Sequence, residues 1–218
     1  MSTNVSGILI CVVCGIVDAI CFVALGGTFA GLMTGNLILM GVSLGGLSSD
    51  VQAAVFLYPL IGYSLGAVLA GVMLKIRGLD GSCHRGLWLA WWMLAAATLI
   101  VWVIPVKAGS VAGWLVVALS ALYMGFQSAV LYLAKRVTIT TNVMTSTLTS
   151  FLADYPMQVG RGGISWHKFI ALLGFLLGVV IGAWAVATDI RLAFLLAIAL
   201  ATLAIAGLNS QTGNATAK

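Results

Sequence analysis

No charged residue separates Arg85 from Lys107, Lys107 from Lys135, or Lys168 from Asp189. Each of these runs has the length of a membrane-spanning helix, which needs about 20 predominantly apolar residues. The rest of the 218-residue chain is similar: 7% of it is charged and 62% is apolar. Soluble domains carry roughly 25% charged residues. So few charges cannot cover a water-facing surface, so lipid must be the solvent for most of this one, and the bilayer is its first partner.

Apolar segments are read at 7–27, 30–47, 52–76, 86–105, 109–133, 138–154, 166–187 and 189–208. Two depart from spanning character. Segment 30–47 is short and interrupted by Thr34-Gly35-Asn36, and segment 138–154 is crowded with hydroxyls from Thr138 to Ser150. Those hydroxyls either bond back to helix carbonyls in an ordinary span or mark a broken or re-entrant element, tolerated only where protein or a wet cavity covers the backbone. The expected fold is an all-α membrane protein with about six spanning helices plus two short broken or re-entrant segments, all in one transmembrane domain, 1–208. The polar tail 209–218 has no apolar face to bury and is expected to be disordered. No Lys or Arg precedes the first apolar run, so that run is expected to remain as a helix rather than be cleaved as a signal.

The chain repeats itself weakly. Gly15-Ile16-Val17-Asp18-Ala19 pairs with Gly125-Phe126-Gln127-Ser128-Ala129, Met33-Thr34 with Met144-Thr145, and Leu60 to Gly66 with Leu172 to Gly178. Three matches in one order, at a slowly drifting offset, predict two internal repeats, 7–105 and 109–208. Charge placement bears on topology. If 138–154 fails to cross, Lys75, Arg77, Arg85, Lys135, Arg136, Arg161, Lys168 and Lys218 share one side, and Lys107 and Arg191 the other. A full crossing would leave almost no bias, so the positive-inside rule favours the non-crossing form. No basic residue precedes Lys75, so 30–47 is assigned by the repeat alone. Three spans per half make the halves an inverted pair, a common transporter plan.

The stretch Gly15 to Ala19, then Phe22, then Phe29-Ala30-Gly31-Leu32-Met33-Thr34-Gly35-Asn36 resembles the YoaK-like family of bacterial inner-membrane proteins. Gly125 to Ala129 and Thr140-Thr141-Asn142-Val143-Met144-Thr145 carry the resemblance into the second half, so that it covers essentially the whole chain. It implies a bacterial multi-pass inner-membrane protein of uncharacterised function, and neither a substrate nor site residues.

Asp18 is the lone acid deep within an apolar run. A charge at that depth costs roughly 2.5–3.5 kcal/mol, so it should meet a cation, a proton, a cationic solute or a polar network. The plainer reading has it capping the break near Thr34. Thr34 is placed to cap the helix that follows, whose exposed amides can hold an anion. Thr34 and Asn36, with Gln127, Asn142 and Thr145 from the other half, would offer polar ligands. Ser128 replaces Asp18 in the second repeat. These groups equally suit helix–helix hydrogen bonding.

Cys11, Cys14, Asp18 and Cys21 form one helical stripe. A soft-metal pathway is a minor reading of it and small-residue packing the main one; no metal or other cofactor is expected. Gly62, Gly66, Gly174, Gly178 and Gly182 have GxxxG spacing, a close-packing face within the chain or between copies in a homo-oligomer. Trp88, Trp91, Trp92, Trp102 and Trp114 read as interfacial anchors. The histidines His84 and His167 sit in no hydrolase, Walker or dinucleotide motif, so no enzyme is expected. The basic residues are scattered between apolar runs, so neither is nucleic acid. The functional expectation is a transporter of a small solute or ion with its site between the halves. A channel or soft-metal exporter is less favoured, and a non-transporting scaffold or assembly partner is the alternative class.

Overall fold

The chain is described by a computed structural model covering residues 3–46, 53–78, 82–134, 144–158 and 166–215. Those residues form eight α-helices: α1 (Thr3–Ala24), α2 (Met33–Leu44), α3 (Leu57–Arg77, led in by a 3₁₀ turn at Ala53–Phe56), α4 (Ser82–Val103), α5 (Val111–Ala134), α6 (Met144–Gln158), α7 (Trp166–Thr188) and α8 (Ile190–Ala215). Six are long and apolar enough to cross a bilayer: Val5–Ala24, Ala53–Ile76, Cys83–Val103, Val111–Leu133, Trp166–Thr188 and Ile190–Leu208. The protein is thus an all-α, multi-pass membrane protein, and α2 and α6 are the two short elements.

α1 and α5 form the centre. Of their spans, 72% and 61% are buried, against 28–39% for the other four, whose apolar outer faces suit lipid. α1 contributes Val13, Ile16, Val17 and Ile20 to the core, and α5 contributes Val116, Ala121, Met124 and Phe126. α8 presents Ala193, Ala197, Ala201 and Ala204 at one-turn spacing and packs against both α1 and α4.

Glycines set the closest contacts. α3 lies along α5, and α7 along α1. A β-carbon on Gly66 of α3 would strike the carbonyl of Leu122, and one on Gly125 of α5 the carbonyl of Tyr63. Likewise a β-carbon on Gly178 of α7 would strike the carbonyl of Val12, and one on Gly15 of α1 that of Phe175. Backbone meets backbone at all four places, as small residues allow in lipid, where dispersion and close packing replace the hydrophobic effect between helices. Gly62 meets Ala118, Gly174 meets Ile8, and Gly182 meets Ile16. The five GxxxG glycines therefore face partners inside the chain.

Thr138, Thr140, Thr141 and Asn142, at the start of the expected 138–154 segment, lie outside the described residues. One boundary differs from expectation. α8 continues to Ala215, so 209–215 extend a helix where a disordered tail was expected. Nothing in that stretch is a proline, and adding residues to a nucleated helix costs far less than starting one.

Candidate functional site

α1 stops at Gly26 and Gly27, whose φ values of 103° and 75° other residues rarely adopt. The chain turns back and enters α2 at Met33. Leu32 is the cap residue and makes no side-chain capping bond, so the opening amides of α2 need other acceptors. Thr34, expected as the cap, lies inside the first turn and is exposed. The loop just ahead of α2 is held from α1: the Gly31 N–H donates to Asp18 Oδ1 at 2.7 Å, and the amides of Ala30 and Leu32 also face that side chain. Asp18 is 3% exposed, so this amide cluster is its solvation.

Asn36 completes the clamp. Its Oδ1 accepts from the Phe29 N–H at 2.9 Å, and its Nδ2 donates to the Phe29 carbonyl at 2.7 Å. Gly35 lets the Phe29 ring lie against the helix, since a β-carbon there would come within 2.9 Å of Phe29 Cδ2. The ring in turn stacks on Phe22 with centroids 4.9 Å apart. The Met-Thr-Gly-Asn box thus fastens a half-helix to its own loop.

A second polar group lies deeper. Gln127 of α5 is 3% exposed and donates through Nε2 to the Cys14 thiol of α1 at 3.6 Å. It lines a cavity of about 10 Å³, room for about one water. The walls come from four helices: Val13 of α1, Leu87 of α4, Tyr123 beside Gln127 on α5, and Ala201 and Ile205 of α8. Sequence reasoning named Gln127 but not Tyr123 or Cys14 as its neighbours. Their place one turn away on α5, and across on α1, was the available signal.

The expected site residues therefore do not converge on one point. Asp18 and Asn36 meet at the α1–α2 turn, Gln127 stands at the four-helix junction, Ser128 is half-buried on α5, Thr145 is exposed on α6, and Asn142 is outside the described residues. The cysteine stripe does not gather into a metal site. Among the described residues no three His, Cys, Asp or Glu side chains are placed to hold a metal. Cys11 packs with Ala171 and Phe175, Cys14 meets Gln127, and Cys21 joins the main core. Residues three and four apart rise along a helix and face different neighbours, so helical spacing alone does not make them converge. The tryptophans are partly internal: Trp91 donates to Thr202 Oγ1 at 2.9 Å and Trp88 to His84 Nε2 at 2.8 Å, whereas Trp92 and Trp102 are exposed.

A protein-family model described as "Protein of unknown function (DUF1275)" matches residues 6–208. The chain belongs to the DUF1275 family. It is 31% identical over 153 residues to the UPF0700 transmembrane protein YoaK of Bacillus subtilis (strain 168), a stretch covering 67% of this chain. The chain spans 64% of that relative's length. No solved structure matches. The resemblance drawn from the Met-Thr-Gly-Asn box thus holds for the DUF1275 match, and the box itself now has a physical role as a loop clamp.

Proposed function

We propose that this DUF1275 protein is a bacterial inner-membrane transporter of a small solute. In this reading it is built from two inverted repeats, 7–105 and 109–208, with its site where α1, α4, α5 and α8 meet. The repeat reading draws support from the paired glycine contacts. Gly15 and Gly125 take the same part in α1 and α5, and Gly66 and Gly178 the same part in α3 and α7.

The observation that carries the transport reading is Gln127. A primary amide has two donor hydrogens and an acceptor oxygen. Among the described residues, Gln127's hydrogen-bond partner is a thiol, a weak acceptor, and the residue borders a cavity. A bond to so weak an acceptor returns less than one to an oxygen would. A chain that only packs would be more stable with leucine there. Solute recognition is a reason to keep the amide, in line with the stability that functional sites commonly sacrifice.

The scaffold reading has its own observation. Asp18 and Asn36, the two most conspicuous polar residues of the first half, are matched by backbone groups of their own loop. Purified protein in proteoliposomes separates the two readings. A transporter gives solute flux that Gln127→Leu slows; a scaffold gives none, and Gln127→Leu then raises its melting temperature.

A further inference from the structure

Resting on the transport reading, we infer that the solute is a small uncharged polar molecule that both donates and accepts hydrogen bonds. It would be met by Gln127, with Tyr123 and Cys14 as further members of the site. The charge of the surroundings comes first. Side chains around the cavity are aliphatic or neutral polar, and none carries a formal charge. An ion at this depth would leave its hydration shell and find no opposite charge in return, a cost of several kcal/mol.

The deep acid does not alter that. Asp18 lies one helical turn from Cys14 on α1, but its Oδ1 takes the Gly31 N–H at 2.7 Å and the amides of Ala30 and Leu32 face it. Those loop amides hold the Asp18 side chain in the α1–α2 turn. A cation arriving at Gln127 would have to draw Asp18 out of the loop it anchors.

The polar groups themselves select the ligand class. Gln127 offers both donors and an acceptor, and Tyr123 adds a hydroxyl able to do either. Cys14 sits where the solute's rival for the amide would be: it holds Gln127 Nε2 through a weak bond at 3.6 Å that a better acceptor, such as a carbonyl or hydroxyl oxygen, displaces readily. The cavity of about 10 Å³ admits a molecule of water size as it stands, so the solute must be small and the junction must widen to pass it.

Stopped-flow light scattering on proteoliposomes tests this, with urea, formamide and glycerol as neutral probes. Potassium, chloride and methylammonium are followed in parallel with ion-sensitive dyes. At least one neutral probe should equilibrate faster than in protein-free vesicles, while the ions stay at the protein-free rate. Gln127→Leu should slow that probe roughly tenfold, the worth of one well-formed hydrogen bond. Tyr123→Phe, which keeps the ring and the packing, should slow it less, and serves if the leucine variant does not yield a single gel-filtration peak. Ion flux without neutral flux overturns the uncharged class and leaves the transport reading standing. Absence of flux for every probe overturns both. Neutral flux that neither variant slows overturns the assignment of Gln127 and Tyr123.

Discussion

The two central helices are packed alike and finished differently. Each carries a glycine that admits the backbone of a helix from the other half, Gly15 for α7 and Gly125 for α3. Beyond that the halves part. α1 leads into a turn pinned by Asp18 and by Asn36, side chains reaching 13 and 7 residues along the chain to backbone groups. At the positions that the proposed repeat pairs with Asp18 and Asn36, α5 has Ser128 and α6 has Thr147. Thr147 is buried at 3%, as Asn36 is at 0%, so the inward register of the short helix persists while its chemistry changes. The hydroxyls of Thr149 and Ser150 bond to carbonyls of their own helix, Thr145 and Thr147, rather than across a turn. Helix packing is therefore common to both halves, and the first carries a half-helix anchored to its own loop.

The comparison is most sharply broken by sidedness, because the outcome is all or none. If the halves are inverted, α2 and α6 lie on opposite faces of the membrane. Thr34 and Thr145 are both exposed, so cysteines introduced there should be reachable. Thr34→Cys should react with a membrane-impermeant maleimide on intact cells, and Thr145→Cys only after permeabilisation, in a background without the native thiols. The loops near Lys75–Arg85 and Lys135–Lys168 should be cytoplasmic by the same charge rule. Labelling of both cysteines from outside would refute the inversion.

Next in size come the glycine contacts. Gly66→Leu and Gly178→Leu each force a side chain into a backbone carbonyl, and each should cost about 3 kcal/mol or more, enough to lose folded protein from detergent extracts. Gly71, with nothing within 4 Å, is the control: Gly71→Ala should be neutral or slightly stabilising, since alanine is the better helix former. Tolerance of one leucine and not the other, by fluorescence size-exclusion, would show that the α3–α5 and α7–α1 contacts are not equivalent.

Asn36 and Thr145 measure the difference in anchoring. Asn36→Ala removes two hydrogen bonds and leaves the part-buried N–H and C=O of Phe29 unmatched, a loss of about 2 kcal/mol. Thr145→Ala, at an exposed position, should stay within about 0.5 kcal/mol. Apparent melting temperatures of the two variants in one detergent check this, and equal shifts would mean that the Asn36 clamp contributes little.

Spans were legible in the sequence because lipid imposes a length and an apolarity that a linear reading detects, and the interruption at Thr34-Gly35-Asn36 marked α2 for the same reason. The glycine spacing was legible as a packing face. Which helix filled it was not, because α7 and α1 are joined by long-range contact with no local trace. Asp18 was visible as a deep acid, but its partners are main-chain amides, which every sequence carries everywhere. Thr34 looked like a cap because a threonine before an apolar run usually is one; here Leu32 is the cap residue, with no side-chain capping bond, and an acid from the preceding helix holds the loop before it from 13 residues away. Gln127 was found through its place beside Ser128 in the repeat, while Cys14 and Tyr123 became site residues only when the bundle brought α1 and α5 together.

The smallest expected effect separates Asp18 as an anchor from Asp18 as a coupling group. Asp18→Asn keeps the shape and an oxygen for the Gly31 N–H, but loses the charge and turns one acceptor into a donor facing amides that also donate. As an anchor it should fold, lose about 1–2 kcal/mol, and leave the rate of neutral-solute flux and its pH profile near those of the parent protein. Ser128→Ala at the corresponding position of α5 removes a single hydroxyl and should cost less, about 1 kcal/mol or below. A coupling acid behaves otherwise: the asparagine variant would fold as well as the parent and lose pH- or cation-dependent flux altogether. Melting temperature and flux from the same preparation distinguish the two, since an anchor moves the first and a coupling group the second. A flux lost without a stability change would return Asp18 to the transport site and make the two halves unequal in chemistry.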